Sequence, residues 1–134
     1  MGSNTPTPGT KDFQKRLSEL YGKSDAAVQV KRYQDLAERA SQAFGGVPRF
    51  FSAPGRTELG GNHTDHNRGR VLCAAATLDI AAAVVPSEGP EVELWSDGWD
   101  HPFRVDLTRL EPDKTERGST EALIRGVEIG RAHV

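Results

Sequence analysis

The sequence predicts an α+β domain in which two N-terminal helices pack on a mixed β-sheet. Apolar residues first recur with the period of an amphipathic helix. From about residue 49 they recur instead in short runs and in the alternation typical of strands. A helical pattern with a capping residue returns near Thr120. The 134 residues are about the size of one ordinary domain.

The N-terminal part is predicted to be helical after a short lead-in. Residues 1–9 are mainly Pro, Thr, Ser, Asn and Gly and are expected to be disordered, which leaves 10–134 as the domain. Thr10 can cap a first helix that ends at Gly22, and a second helix is predicted over 25–44. We expect both helices to serve packing. Their apolar stripes are Phe13, Leu17, Leu20 and Tyr21, then Tyr33, Leu36, Ala37, Ala40 and Phe44.

Short strands are predicted after the second helix. The first covers 49–53, between Pro48 and Pro54, and a glycine-rich loop follows it. The apolar runs 71–76 and 78–85 indicate buried strands, although their alanines would also tolerate a helix. Alternation over 91–96 and 101–107, with Asp97-Gly98 between, favours a hairpin-type return.

The C-terminal segment predicts a last helix, which Ser119 or Thr120 can cap. Its apolar residues are Leu123, Ile124 and Val127. The helical pattern continues to Val134 without a capping glycine, so we expect a truncated domain.

Composition excludes several classes of function. The net charge is −2, which leaves no basic footprint for nucleic acid. No signal peptide and no apolar run long enough to cross a membrane occur in the sequence. The single cysteine, Cys73, cannot form an internal disulfide and is expected to be a buried small hydrophobe. We therefore expect a cytoplasmic protein.

The stretch PGRTELGGNHTDHNRG, residues 54–69, is the candidate site. Its four glycines allow the backbone to approach a ligand closely. Asn62, His63 and Asp65 bring an amide, a switchable donor and an acceptor together, the mixture that sugar hydroxyls require. The alternative is a solvated turn in which Asp65 and Asn67 bond only the local backbone.

Arg56 stands at the start of this stretch. Its guanidinium suits bidentate binding of a carboxylate or of phosphate oxygens. The alternative is a structural salt bridge to Glu58 or to a more distant acid.

Other chemistries find less support. His63, Asp65 and His66 could ligate a metal, but no second cluster completes the set that zinc sites use, so no metal is expected. Neither the Gly-x-Ser-x-Gly of hydrolases nor the Gly-x-x-x-x-Gly-Lys-Ser/Thr of phosphate loops occurs.

The segment APGRTELGGNHTDHNRGRVL, residues 53–72, resembles the galactokinase signature of the galactokinase, homoserine and mevalonate kinase family. That signature runs Gly-Arg-x-x-Leu-x-Gly-Glu-His-x-Asp-Tyr-Asn. The order of elements over roughly 12–134 is also similar to the N-terminal part of a galactokinase. The matching positions are Gly55, Arg56, Leu59, Gly61, His63, Thr64, Asp65 and Asn67.

The resemblance implies a fold similar to the second domain of ribosomal protein S5. It also implies an ATP- and Mg-dependent sugar 1-kinase, which transfers the γ-phosphoryl group to the anomeric hydroxyl of galactose or a related sugar. Asn62, His63 and Asp65 would contact the sugar, and Arg56 would orient the catalytic carboxylate and stabilise developing charge. The chain departs from the family at Asn62, usually Glu, and at His66, usually Tyr.

The family's phosphate loop, catalytic Asp and C-terminal domain would lie beyond Val134, so the 134 residues alone are expected to be inactive. An unpaired sheet face could then drive self-association. Two alternatives stay open. One is a non-catalytic galactose sensor related to galactokinase, and the other is a metal-dependent enzyme using His63, Asp65 and His66.

Overall fold

A computed structural model describes residues 7–61 and 68–132, and the chain divides into two compact units after Val85. Helices α1 (Lys11–Tyr21) and α2 (Ala26–Phe44) and strands β1 (Arg49–Gly60) and β2 (Leu72–Val84) form the first unit. Strands β3 (Glu91–Leu94) and β4 (Phe103–Asp106), a 3₁₀ turn (Lys114–Glu116) and helix α3 (Thr120–Ala132) form the second. The α+β class is confirmed.

The helices of the first unit lie where the sequence predicts them. The Thr10 Oγ1 accepts a hydrogen bond from the Phe13 backbone N–H at 3.3 Å, which caps α1. Gly22 and Gly45 end the two helices with positive φ angles of 85° and 68°. Residues 1–6 of the expected lead-in lie outside the described part of the chain.

Strands β1 and β2 form an antiparallel pair, with Arg49 opposite Val84 and Gly60 opposite Leu72. Two predictions are therefore wrong: the first strand does not stop at Pro54, and the two apolar runs form one strand. Proline is tolerated because β1 is an edge strand, where a missing backbone N–H costs little. The pairings within the described residues are all antiparallel, whereas a mixed sheet was expected.

The core of the first unit lies between the helices and one face of this sheet. The rings of Phe13, Tyr33 and Phe50 meet edge to face, with centroids 5.4 to 5.7 Å apart. Such pairs contribute roughly 0.5–1.5 kcal/mol each beyond their buried area. Leu17 and Tyr21 complete the buried cluster, against which Val30 and Ala81 pack.

The opposite face of the sheet is open. Side chains of a strand alternate between faces, so each residue that packs on the helices leaves its neighbours on the other side. Leu78 is 82% exposed and Ile80 76% exposed. Cys73 is also exposed, so the predictions of a buried β2 and a buried Cys73 are wrong. We call Phe51, Leu78, Ile80 and Val84 the open face.

The second unit contains a small hairpin and the last helix. Phe103 and Val105 of β4 are buried, and the Asp97-Gly98 turn lies between β3 and β4 as predicted. The Ser119 Oγ accepts from the Ala122 backbone N–H at 3.1 Å and caps α3. Arg125 donates to both carboxylate oxygens of Glu116 at 2.9 and 3.0 Å. Residues 133–134 lie outside the described range.

Candidate functional site

The glycine-rich stretch spans the end of β1 and the connection to β2. Residues 55–60 belong to β1, and we call 61–71 the connecting loop. Because Gly60 pairs with Leu72, the two ends of this loop are held side by side. Asn62, His63, Asp65 and His66 lie outside the described residues, so the structure carries no geometry for them. The structure does describe β1 and β2, the two strands that the connecting loop joins.

The two ends of the connecting loop, where Gly61 lies against Arg70 and Val71, form a narrow neck. Gly61 has a φ angle of 115°, in the region that favours glycine. A Cβ atom there would stand 2.6 Å from the carbonyl oxygen of Arg70 and 2.7 Å from Cα of Val71. Since real Cβ atoms essentially never come so close, only glycine fits at this position. Gly60 has open space around it.

A bulge interrupts the ladder next to Gly55. Pro54 pairs with Asp79 and Arg56 pairs with Ala75, so β1 advances two residues (54 to 56) while β2 covers four (75 to 79). Three residues of β2 therefore face Gly55 alone. A Cβ at Gly55 would lie 3.0 Å from the carbonyl oxygen of Leu78, so the two backbones approach closely here. Bulges of this kind re-aim the side chains beside them.

Arg56 is exposed at the edge of this bulge. Within residues 7–61 and 68–132 its guanidinium makes no ion pair, and the salt bridge to Glu58 that the sequence left open is absent there. Arg56 is thus an exposed cation on β1, next to the bulge at Gly55.

A polar cluster that the sequence did not predict lies on the helix-facing side of the same sheet. The Asp79 side chain is 3% exposed. Its Oδ1 accepts from Arg32 Nη1 at 2.6 Å, and its Oδ2 accepts from the hydroxyls of Tyr21 and Ser52 at 2.5 Å each. Arg32 Nη2 also donates to the backbone carbonyl of Asp79 at 3.1 Å. We call Tyr21, Arg32, Ser52 and Asp79 the Asp79 cluster.

The cluster shifts the pKa values of its members. Burial alone would raise the pKa of Asp79, but the hydrogen bonds from Arg32, Ser52 and Tyr21 outweigh it, so this pKa is lowered. The pKa of Tyr21 is raised, first by burial and then because its hydroxyl donates to Asp79. The charged residue inside the apolar run 78–85 was a signal in the sequence that Asp79 needs partners, although it does not say which residues they are.

No metal site is found among the described residues: they contain no group of three His, Cys, Asp or Glu side chains suited to a cation. His63, Asp65 and His66 are not among them. In the same part of the chain, no helix is long and apolar enough to cross a membrane.

Comparison with known proteins places a family signature on this region. A model of the galactokinase galactose-binding signature matches residues 41–86, from the end of α2 through β1, the connecting loop and β2. No solved structure matches the chain, so the arrangement similar to ribosomal protein S5 stays a prediction.

Several galactokinases are similar in sequence to this chain. The galactokinase of Bacillus subtilis is 45% identical over 51 residues, 38% of this chain and 13% of the relative. That of Schizosaccharomyces pombe is 32% identical over 83 residues, 61% of this chain and 16% of the relative. That of Lactococcus lactis subsp. lactis is 28% identical over 88 residues, which are 64% of this chain and 21% of the relative. The chain thus spans only a small part of the length of these relatives.

Proposed function

We propose that this chain, which is similar in sequence to several galactokinases and matches the galactokinase galactose-binding signature, supplies the sugar-binding loop of an ATP-dependent sugar 1-kinase. The reaction transfers the γ-phosphoryl group of ATP to the anomeric hydroxyl of galactose. The observation that carries the proposal is the match of the signature to residues 41–86, the segment that holds the β1–β2 hairpin.

The roles of the loop residues follow from their chemistry. Asn62, His63 and Asp65 bind the sugar hydroxyls. A hydrogen bond to a charged group such as the Asp65 carboxylate contributes roughly 1.5–3 kcal/mol. Asn62 replaces the usual Glu of the family, so this position hydrogen-bonds without charge and also donates.

Arg56 acts on the phosphoryl group. Its exposed guanidinium has no ion pair within the described residues and is therefore available for the oxygens of the transferring phosphate or for the catalytic carboxylate. Phosphoryl transfer depends mainly on positioning and on stabilising developing charge, and a cation on the strand that leads into the sugar loop can supply that charge.

ATP and Mg bind outside these 134 residues, so the chain alone binds sugar without transferring phosphate. The small share of the relatives' length that it spans, between 13% and 21% in the three named above, supports this division of labour. A cytoplasmic location belongs to the same proposal. The sensor alternative is not favoured, since all three of these relatives are named galactokinases.

The open face gives the isolated chain a second property: we propose that it self-associates there. Phe51, Leu78, Ile80 and Val84 are all substantially exposed on β1 and β2. A contiguous apolar patch of this kind is a liability for a free monomer.

Steady-state kinetics of the full-length gene product test the roles of Arg56 and Asp65. Asp65→Asn is expected to raise KM for galactose about 10- to 100-fold, because it removes a charge-assisted hydrogen bond. Arg56→Ala is expected to lower kcat by a larger factor than it raises KM, because the cation acts on charge that develops in the transition state. Arg49→Ala, an exposed arginine at the other end of β1, serves as the control. Equal effects of Arg56→Ala and Arg49→Ala would remove Arg56 from the site.

A further inference from the structure

The Asp79 cluster joins all four elements of the first unit. Tyr21 comes from α1, Arg32 from α2, Ser52 from β1 and Asp79 from β2. The hydroxyls of Tyr21 and Ser52 each donate their single hydrogen to Oδ2 of Asp79, and Arg32 donates to Oδ1. The Tyr33 hydroxyl lies 3.1 Å from that of Tyr21 and, since the Tyr21 proton is committed, donates to it. The carboxylate thus receives hydrogen bonds from three elements at once.

The cluster lies at one border of the bulge. Asp79 forms the last regular pair, with Pro54, before the ladder is interrupted, and pairing resumes at Arg56 and Ala75. Ser52 pairs with Ala81, which makes it the diagonal neighbour of Asp79 on the helix-facing side. The hydrogen bond between Ser52 and Asp79 therefore ties the two strands directly beside the irregularity.

Little else in the sequence specifies where the bulge falls. From residue 74 to 76 β2 is all alanine, and Gly55 opposite the bulge has no side chain. Register is weakly specified when neighbouring positions carry similar side chains, and a slip of one residue moves each side chain to the other face. Asp79 is the one charged residue in the sequence of β2, so it marks a single position along the strand.

We propose that Asp79 is a positioning residue, which fixes the bulge between Pro54 and Arg56 and thereby sets the face of the sheet from which Arg56 reaches the site. The part that concerns Arg56 rests on the proposed kinase function, whereas the part that concerns the register does not. Asp79 itself touches neither sugar nor phosphate in this account.

Asp79→Asn is the sharpest variant because it preserves shape. A carboxylate only accepts hydrogen bonds, and all its partners here are donors. An asparagine amide has one accepting oxygen, and its NH₂ group would face a donor. The donors from Tyr21, Arg32 and Ser52 could then no longer all find an acceptor. Leu17→Ala is the control, since Leu17 is buried in the core of the same unit but makes no polar contact with Asp79.

NMR of the 134-residue chain reads the register directly. We expect Asp79→Asn to lose or shift the cross-strand contact between Arg56 and Ala75, whereas Leu17→Ala keeps it even where its unfolding temperature falls further. The same Arg56–Ala75 contact in Asp79→Asn would overturn the proposal. Should Asp79→Asn fail to fold, Ser52→Ala decides: a mixture of two registers supports the proposal, and a single unchanged register overturns it.

Kinetics of the full-length product test the consequence for Arg56. Misplacing a catalytic group by about 1 Å can cost about 10²-fold in rate, so Asp79→Asn should lower kcat by up to that factor. Adding Asp79→Asn to Arg56→Ala should then change kcat little further, whereas Leu17→Ala should act independently of Arg56→Ala. Fully multiplicative effects of Asp79→Asn and Arg56→Ala would contradict positioning. Absence of galactose turnover in the unchanged enzyme would refute the proposed function and leave the NMR result standing.

Discussion

At the scale of single residues, the buried carboxylate of Asp79 ties the stability of the first unit to pH. Its folded-state pKa is lowered by the hydrogen bonds from Arg32, Ser52 and Tyr21, which outweigh burial. A lowered folded pKa contributes stability that is fully present above the unfolded pKa of about 3.9 and is lost as the pH falls through the folded value. The cluster therefore stabilises the folded protein at neutral pH, and this contribution to stability is lost in acid.

Tyr21→Phe is expected to lower the free energy of unfolding at pH 7 by about 1.5–3 kcal/mol, the usual contribution of a hydrogen bond to a charged group. The difference from the unchanged chain should narrow as the pH falls below about 4, since a protonated Asp79 needs that bond less. Urea unfolding of both chains from pH 7 to pH 2 measures it. A difference that stays constant across that range would show that Asp79 is not the partner that matters.

Gly61 and Gly60 form a matched pair at the neck of the connecting loop. Gly61→Ala is expected to destabilise the chain by about 1–3 kcal/mol, because its φ is positive and its Cβ would collide with the backbone of Arg70 and Val71. Gly60→Ala has open space and should stay within about 0.5 kcal/mol of the unchanged chain. Thermal unfolding of the two variants checks this, and equal effects would argue against a closed neck.

At the scale of elements, the bounds of the helices were predictable, whereas the extents of β1 and β2 were not. Local signals determine the helices: Thr10 caps α1 and Gly45 ends α2, so both boundaries are visible in the sequence. The extension of β1 through Pro54 depends instead on pairing with β2, where its partner Asp79 lies 25 positions further along the chain (79 − 54). Pro54 and Gly55 are residue types that usually interrupt a strand, and they belong to β1 here because β2 pairs with it on both sides of them.

The candidate site was likewise predictable only in part. The composition of the 54–69 stretch indicated a sugar site, and the match of the galactose-binding signature to residues 41–86 agrees with that interpretation. The Asp79 cluster was not predicted, because a lone Asp in an apolar run does not reveal that Tyr21, Arg32 and Ser52 converge on it. Such convergence depends on three tertiary contacts that no local pattern encodes.

At the scale of the whole molecule, the open face distinguishes this chain from a monomer with a finished core. The sequence predicted buried strands here because their residues are apolar, but burial depends on what covers a face, and within the first unit the helices cover only the other side. The exposure of Cys73 has the same origin.

The open face also gives a direct prediction about assembly. Ile80→Lys, in the middle of that face, should convert an associating chain into a monomer, because a buried contact would have to accommodate an unpaired charge. Val28→Lys, an exposed apolar position on α2, should leave the association unchanged. Sedimentation equilibrium at high protein concentration distinguishes the two. A chain that is monomeric before substitution would contradict the self-association.

The most direct test of the proposed galactose phosphorylation is ATP turnover by the full-length gene product in a coupled assay, with galactose, glucose, N-acetylgalactosamine and arabinose compared side by side. Turnover that is confined to galactose is the expected result, and it would show that Asn62 and His66 are tolerated departures from the family pattern. Sugar binding without any turnover would contradict the proposal and favour the non-catalytic sensor.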